Sequence, residues 1–277
     1  MLSDFLAAIA DPAVPFIRYA LFAGLLSSIA FGMVGSYVVV RRMSYIVGAV
    51  SHVALGGIGA AILLNEKLGL CISPIAGALA ASILAAIVIS LVELYSRERS
   101  DSIISALWAV GMATGIVCIA LSAGYSDPMS YLFGNILLIS KSNLITITML
   151  DLCVIFIVVR YYNILKATCF DEIFAGVRGI NTVFFNILLN MLIALTVVLM
   201  VSLVGVVMAI AFLTIPAATA GLMVKRLSHM MALGAVFCAL FSTSGLFISY
   251  SFDMPTGAVT IILSGIVYLA VLLIRRR

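Results

Sequence analysis

The stretch VFFNILLNMLIALTVVLMVSLVGVVMAIAFLTIPAATAGLMV, residues 183–224, holds no Asp, Glu, Lys or Arg. An α-helix rises about 1.5 Å per residue, so crossing a hydrocarbon core of about 30 Å takes about 20 residues. The stretch therefore reads as two consecutive membrane spans, 183–203 and 205–224. Working outward, charges, prolines and glycine clusters cut the remaining apolar runs into 16–40, 44–64, 72–94, 102–123, 142–160, 231–250 and 257–274. The expectation is an all-α, polytopic membrane helix bundle of nine transmembrane helices, in one transmembrane domain over 1–277. Eight is the alternative count, because no charge separates 183–203 from 205–224.

The composition excludes most other classes. Of 277 residues 65% are apolar and 9% charged, against roughly 25% charged in ordinary soluble domains. A mean hydropathy of +1.31 leaves too little polar surface for a soluble enzyme, a disordered chain or a nucleic-acid binder. Membrane lipid is the expected surrounding. The five cysteines have no C-x-x-C pair and suggest neither a disulfide framework nor a thiolate metal cluster. No basic residue precedes Arg18, so the first apolar stretch reads as retained rather than as a cleaved signal.

Lys and Arg mark the cytoplasmic loops of membrane proteins. With the N-terminus outside, Arg41, Arg42, Arg97, Arg99, Arg160, Lys166, Arg178, Lys225, Arg226 and Arg275 to Arg277 fall inside, and only Arg18, Lys67 and Lys141 fall outside. The C-terminus is then cytoplasmic. Basic residues distributed in this way set topology, and give the net charge of +4 no meaning for nucleic acid. Within the spans, Gly56, Gly57, Gly59, Ala78, Ala81, Ala85, Gly111 and Gly115 allow close helix approach. No segment has room for a soluble catalytic domain and no G-x-x-x-x-G-K-[ST] phosphate loop occurs, so an ATPase would have to be another chain.

Ionisable groups at bilayer depth cost about 2.5 kcal/mol or more on insertion scales, and few are present. His52 lies ten residues past Arg42, and Asp151 lies ten past Lys141 and nine before Arg160, which puts both near the midplane. An imidazole and a carboxylate at similar depth suit a divalent metal such as zinc or manganese. The alternatives are a neutral His52 bonded to a neighbouring helix and a protonated Asp151 bonded to a Ser, Thr or Tyr. Asn186 and Asn190, one turn apart, read as interhelical hydrogen-bond partners. Thr214 and Pro216 mark a proline break, either a structural kink repaired by Thr214 or a bend that lines a pathway. The longest inner loop, about 161–182, places Phe170, Ile173, Phe174 and Val177 at helical spacing, an amphipathic shape suited to a groove on a partner.

RRMSYIVGAVSH (41–52), SDSIISALWAVGMATG (100–115), DPMSYLFGNIL (127–137), FDEIFAGVRGI (170–180), LTIPAATAGL (213–222) and FDMPTGA (252–258) occur in one order and spacing. In these the chain resembles the membrane permease subunits of bacterial ATP-binding-cassette importers for zinc, manganese or iron. The resemblance implies a homodimer or paired permease in the bacterial inner membrane. It also implies two cytoplasmic ATP-binding subunits and an extracytoplasmic metal-binding protein that delivers the ion. On this resemblance the divalent metal is expected as substrate, zinc first and manganese or iron(II) next, with no permanently bound cofactor and no enzymatic activity of the chain itself.

A family pattern like G-D-A-L-S-H maps its histidine onto His52 and its carboxylate onto Gly48, where the acid is missing. Asp151 could supply the missing oxygen ligand, or two protomers could share one ion through His52. Gly48 could equally widen the path. By the same resemblance, the segment around Glu172, Ala175 and Gly179 is the element that couples to the ATPase, and Asp127 and Asp253 lie on outer segments that could receive the delivery protein. The competing classes are an ion-coupled secondary transporter, which often shows two similar halves, and a membrane enzyme acting on lipid, which needs a cluster of acid, base or metal-binding residues. Neither pattern is found by eye.

Overall fold

The computed structural model describes residues 15–95, 100–122, 141–252 and 254–275. The 127–137 motif, Asp127 and Asp253 lie outside these residues, as do Arg97, Arg99, Arg276 and Arg277.

Every regular element among the described residues is helical. In chain order they are α1 (Pro15–Val40), α2 (Ser44–Leu68), α3 (Pro74–Tyr95), α4 (Ser100–Leu121), α5 (Lys141–Phe170), α6 (Glu172–Val177), α7 (Thr182–Val204), α8 (Val206–Met223), α9 (Leu227–Phe252) and α10 (Thr256–Arg275). Eight of these are long and apolar enough to cross a membrane; α8 is apolar but shorter. Its 18 residues rise about 27 Å at about 1.5 Å each. The 183–224 stretch is thus two helices, broken at Gly205, whose φ of 91° is open to glycine and strained for other residues.

Local chemistry ends the helices where the chain must turn. Pro74 starts α3, where its missing N–H costs nothing. Gly69, at φ 64°, closes α2 in the left-handed conformation, and its N–H reaches the Asn65 carbonyl. The Asn65 side chain then fastens the turn into α3, donating to the Ile72 carbonyl at 2.7 Å and accepting from its N–H at 2.8 Å. Buried hydroxyls of Ser36, Ser51, Ser90, Thr196 and Thr219 each donate to the carbonyl one turn back, which satisfies them where no water is at hand.

Helices α1, α2 and α7 form the centre. In α2 72% of the span is buried, against 17% in α10, which lies at the periphery with α4 and α5. Small residues bring the central backbones together. A side chain on Gly57 would strike the Gly77 carbonyl oxygen of α3 and come within 2.7 Å of the Ala81 methyl, and Gly234 of α9 lies against Gly32 of α1 and Ala217 of α8. Overpacking a tight contact costs about 1–3 kcal/mol. Gly57→Val should therefore lower the melting temperature of the purified protein by several degrees, and an unchanged melt would contradict this packing.

The loop expected over 161–182 is largely helix, because α5 continues ten residues past 160 to Phe170. At about 1.5 Å per residue its 30 residues reach about 45 Å, longer than the hydrocarbon core. Buried Leu165 and Thr168 hold this extension to the bundle.

Candidate functional site

His52 sits two turns into α2 and is buried at 7% exposure, with Nδ1 lacking a protein partner. Its ring stacks on Trp108 of α4, with centroids 4.9 Å apart and planes 26° from parallel. The two helices meet closely because glycine faces glycine. A side chain on Gly56 would come 2.9 Å from the Gly111 carbonyl oxygen, and one on Gly59 would come 3.1 Å from the Gly115 Cα. The G-x-x-x-G spacing thus sets the depth at which Trp108 meets His52. Gly48, one turn before His52, lies under the same indole.

Asp151 is fully buried on α5, which packs on α1 and α7. Its Oδ2 accepts a hydrogen bond from Ser27 of α1 at 2.6 Å, and Oδ1 has no partner. No hydrogen bond or ion pair joins His52 and Asp151, which face α4 and α1 respectively. No group of three or more His, Cys, Asp or Glu able to hold a metal occurs among the described residues. If Asp151 serves the α1–α5 contact, Asp151→Asn should keep most metal uptake, since an amide oxygen still accepts from Ser27. Uptake lost with intact folding would instead mark a ligand.

Pro216 leaves α8 continuous. Thr214 donates to the Ile210 carbonyl at 2.7 Å, not to that of Phe212, which the proline leaves without its usual donor. Against this segment lies Gly35 of α1, where any side chain would strike the Leu213 carbonyl oxygen. Thr214 also lines a cavity of about 360 Å³ with Arg42, Ser44 and Tyr268.

The second cluster surrounds α6. Asp171 caps it, its carboxylate accepting from the Phe174 N–H at 2.9 Å. Ala175 is buried, and Gly179 turns the chain at φ 79°. Glu172 accepts from the Asn186 side chain at 2.7 Å and pairs with Arg41 at 3.5 Å, while Arg41 donates to Asn186 Oδ1 at 2.6 Å. This triangle ties α6 and α7 to the turn that follows α1. Beside it Asn190 donates to Ser90 and Glu93 of α3, at 2.9 and 3.3 Å. Phe170, Ile173, Phe174 and Val177, the face expected to be apolar, are exposed, Ile173 and Val177 by 83% and 84%.

Sequence reasoning singled out neither Trp108 nor Arg41 as a site residue. A partial signal existed: Gly111 and Gly115, four residues apart, and Gly56 and Gly59, three apart, both put small residues on one helix face, which would dock α4 on α2 three residues from Trp108.

The chain matches the model of the ABC 3 transport family over residues 13–275. It is 36% identical over 263 residues to a "probable metal transport system membrane protein" of Chlamydia trachomatis, covering 95% of this chain and 90% of that one. It is 30% identical over 253 residues to the manganese transport system membrane protein MntC of Listeria monocytogenes, covering 91% and 88%. Its fold is similar to that of PsaBC from Streptococcus pneumoniae, solved in complex with Fab, with a TM-score of 0.87, 30% identity, and coverage of 98% and 95%. With its eight long apolar helices, the chain is a multi-pass membrane permease of metal transport, a member of the ABC 3 transport family.

Proposed function

We propose that this chain carries a divalent transition-metal ion inward across the bacterial inner membrane, by alternating access driven by a separate ATPase. The observation that carries the reading is His52, a buried imidazole at membrane depth whose Nδ1 has no protein partner. Neutral imidazole is a ligand for zinc, manganese and iron(II), and a site with few protein ligands releases its ion readily, where a closed four-ligand cage would not. Relatives named for manganese make that ion the first to compare with zinc. Thr214 and Pro216 line the route in this reading, Gly48 lies behind the Trp108 ring, and Asp151 is a second ligand only if its Asn variant loses uptake.

The bare face of Phe170, Ile173, Phe174 and Val177 docks in a groove on the cytoplasmic ATP-binding subunit. Glu172, Ala175 and Gly179 form the coupling element. An extracytoplasmic binding protein delivers the ion, and the permease works as a homodimer or beside a similar second chain. The N-terminus is outside and the C-terminus cytoplasmic, following the basic loops. The test is the metal content of a deletion strain grown at limiting manganese, zinc or iron. A selective fall in one of the three, restored by the gene, names the cargo; unchanged contents of all three contradict the reading.

A further inference from the structure

We propose that Trp108 determines ion choice at His52, by closing position 48 to any second donor and leaving a site of one imidazole against an apolar wall. This rests on the reading of His52 as part of the metal path. Positions 48 and 52 are one turn apart on α2, so position 48 is where that helix could present another ligand to an ion held by His52. The indole fills that space. A Cβ on Gly48 would stand 2.6 Å from Trp108 Cη2 and 3.1 Å from Cε3, and closer still to Cζ3. The same ring covers one face of the imidazole. Trp108 cannot easily withdraw, because Gly111 in the next turn of α4 has its Cα region against the Val53 backbone, and Gly115 against Leu55.

The consequence follows from ligand preference. Manganese(II) seeks an oxygen-rich shell, whereas zinc accepts imidazole nitrogen and low coordination numbers. A site with one nitrogen donor and no carboxylate on its own helix favours zinc over manganese. Trp108 acts through His52 and through the excluded volume, so it is a positioning and specificity residue.

Two measurements on the full-length chain test this. In vesicles containing the permease with its ATPase and supplied with the extracytoplasmic binding protein, zinc and manganese uptake are compared for wild type, Gly48→Asp, Trp108→Ala and the double variant. Gly48→Asp alone should lose uptake of both ions, because the new side chain meets the indole. The double variant, with room for the carboxylate, should recover uptake and raise the manganese-to-zinc ratio about tenfold. A recovered double variant with the wild-type ratio overturns the proposal.

The second measurement does not depend on variants at 48 or 108. Trp108 is the chain's single tryptophan, so the emission of the purified permease in nanodiscs reports on this ring alone. Zinc chloride should change that emission saturably, and His52→Ala should abolish the response. An unchanged emission in a wild type that transports zinc overturns the proposal. If wild-type vesicles carry neither zinc nor manganese, this inference fails; if they carry no iron(II) either, the functional reading fails with it.

Discussion

A permease carrying His52→Ala should assemble with its ATPase, keep hydrolysing ATP, and lose metal uptake by at least about 100-fold. Loss of a group that only orients a metal ligand costs about 10–100-fold, and loss of a ligand itself belongs at or beyond the upper end. The stability cost should be moderate. The ring is buried against Trp108 but forms no hydrogen bond that the fold depends on. Removing it therefore deletes a stacking contact worth about 0.5–1.5 kcal/mol and leaves a small void. The check is uptake measured beside ATPase activity on one preparation. Uptake within twofold of wild type would remove His52 from the path.

The second large effect is expected at Arg41, whose replacement by Ala should leave ATP hydrolysis in place while the ions moved per ATP fall severalfold. Arg41 ties α6 to the end of α1, since it contacts both Glu172 and Asn186. The Glu172 side chain is 47% exposed, so the ion pair adds about 0–1 kcal/mol to stability and the fold tolerates its loss. What is lost is a stiff connection between α6 and the end of α1, while the Asn186–Glu172 bond to α7 remains. Glu172→Gln should be milder, because its amide oxygen still accepts from Asn186. An unchanged ratio of ions to ATP in Arg41→Ala would mean that the triangle carries no motion.

Much of the fold is legible from charge spacing alone, since an uncharged run longer than about 20 residues has few places to be other than a membrane. Legibility fails where hydropathy stops reporting. Arg160 and Lys166 suggest an end near 160, yet α5 continues to Phe170, where Leu165 and Thr168 still pack on the bundle. The short α8 is ambiguous for a related reason: its apolar stretch is clear, but its length falls just below a full crossing.

The site is half legible. His52 stands out because an ionisable group in a span needs a reason, and so does Asp151. Their partners do not stand out, because a single sequence does not say which helix faces which. Ser27 and Asp151 are 124 positions apart, and Arg41 and Asn186 are 145 apart. Gly48 reads from sequence as a vacancy in the path. In the fold that volume belongs to Trp108, a residue whose apolar ring gave no reason to look at it.

The most direct test of the central claim is radioactive zinc, manganese and iron(II) uptake into vesicles holding the permease and supplied with the extracytoplasmic binding protein, with and without the ATP-binding subunit and ATP. The account predicts uptake of at least one of the three ions when the permease, the binding protein, the ATPase and ATP are all present, and background uptake when any one is omitted. Metal accumulation by the permease alone, or uptake driven by an ion gradient without ATP, would contradict it.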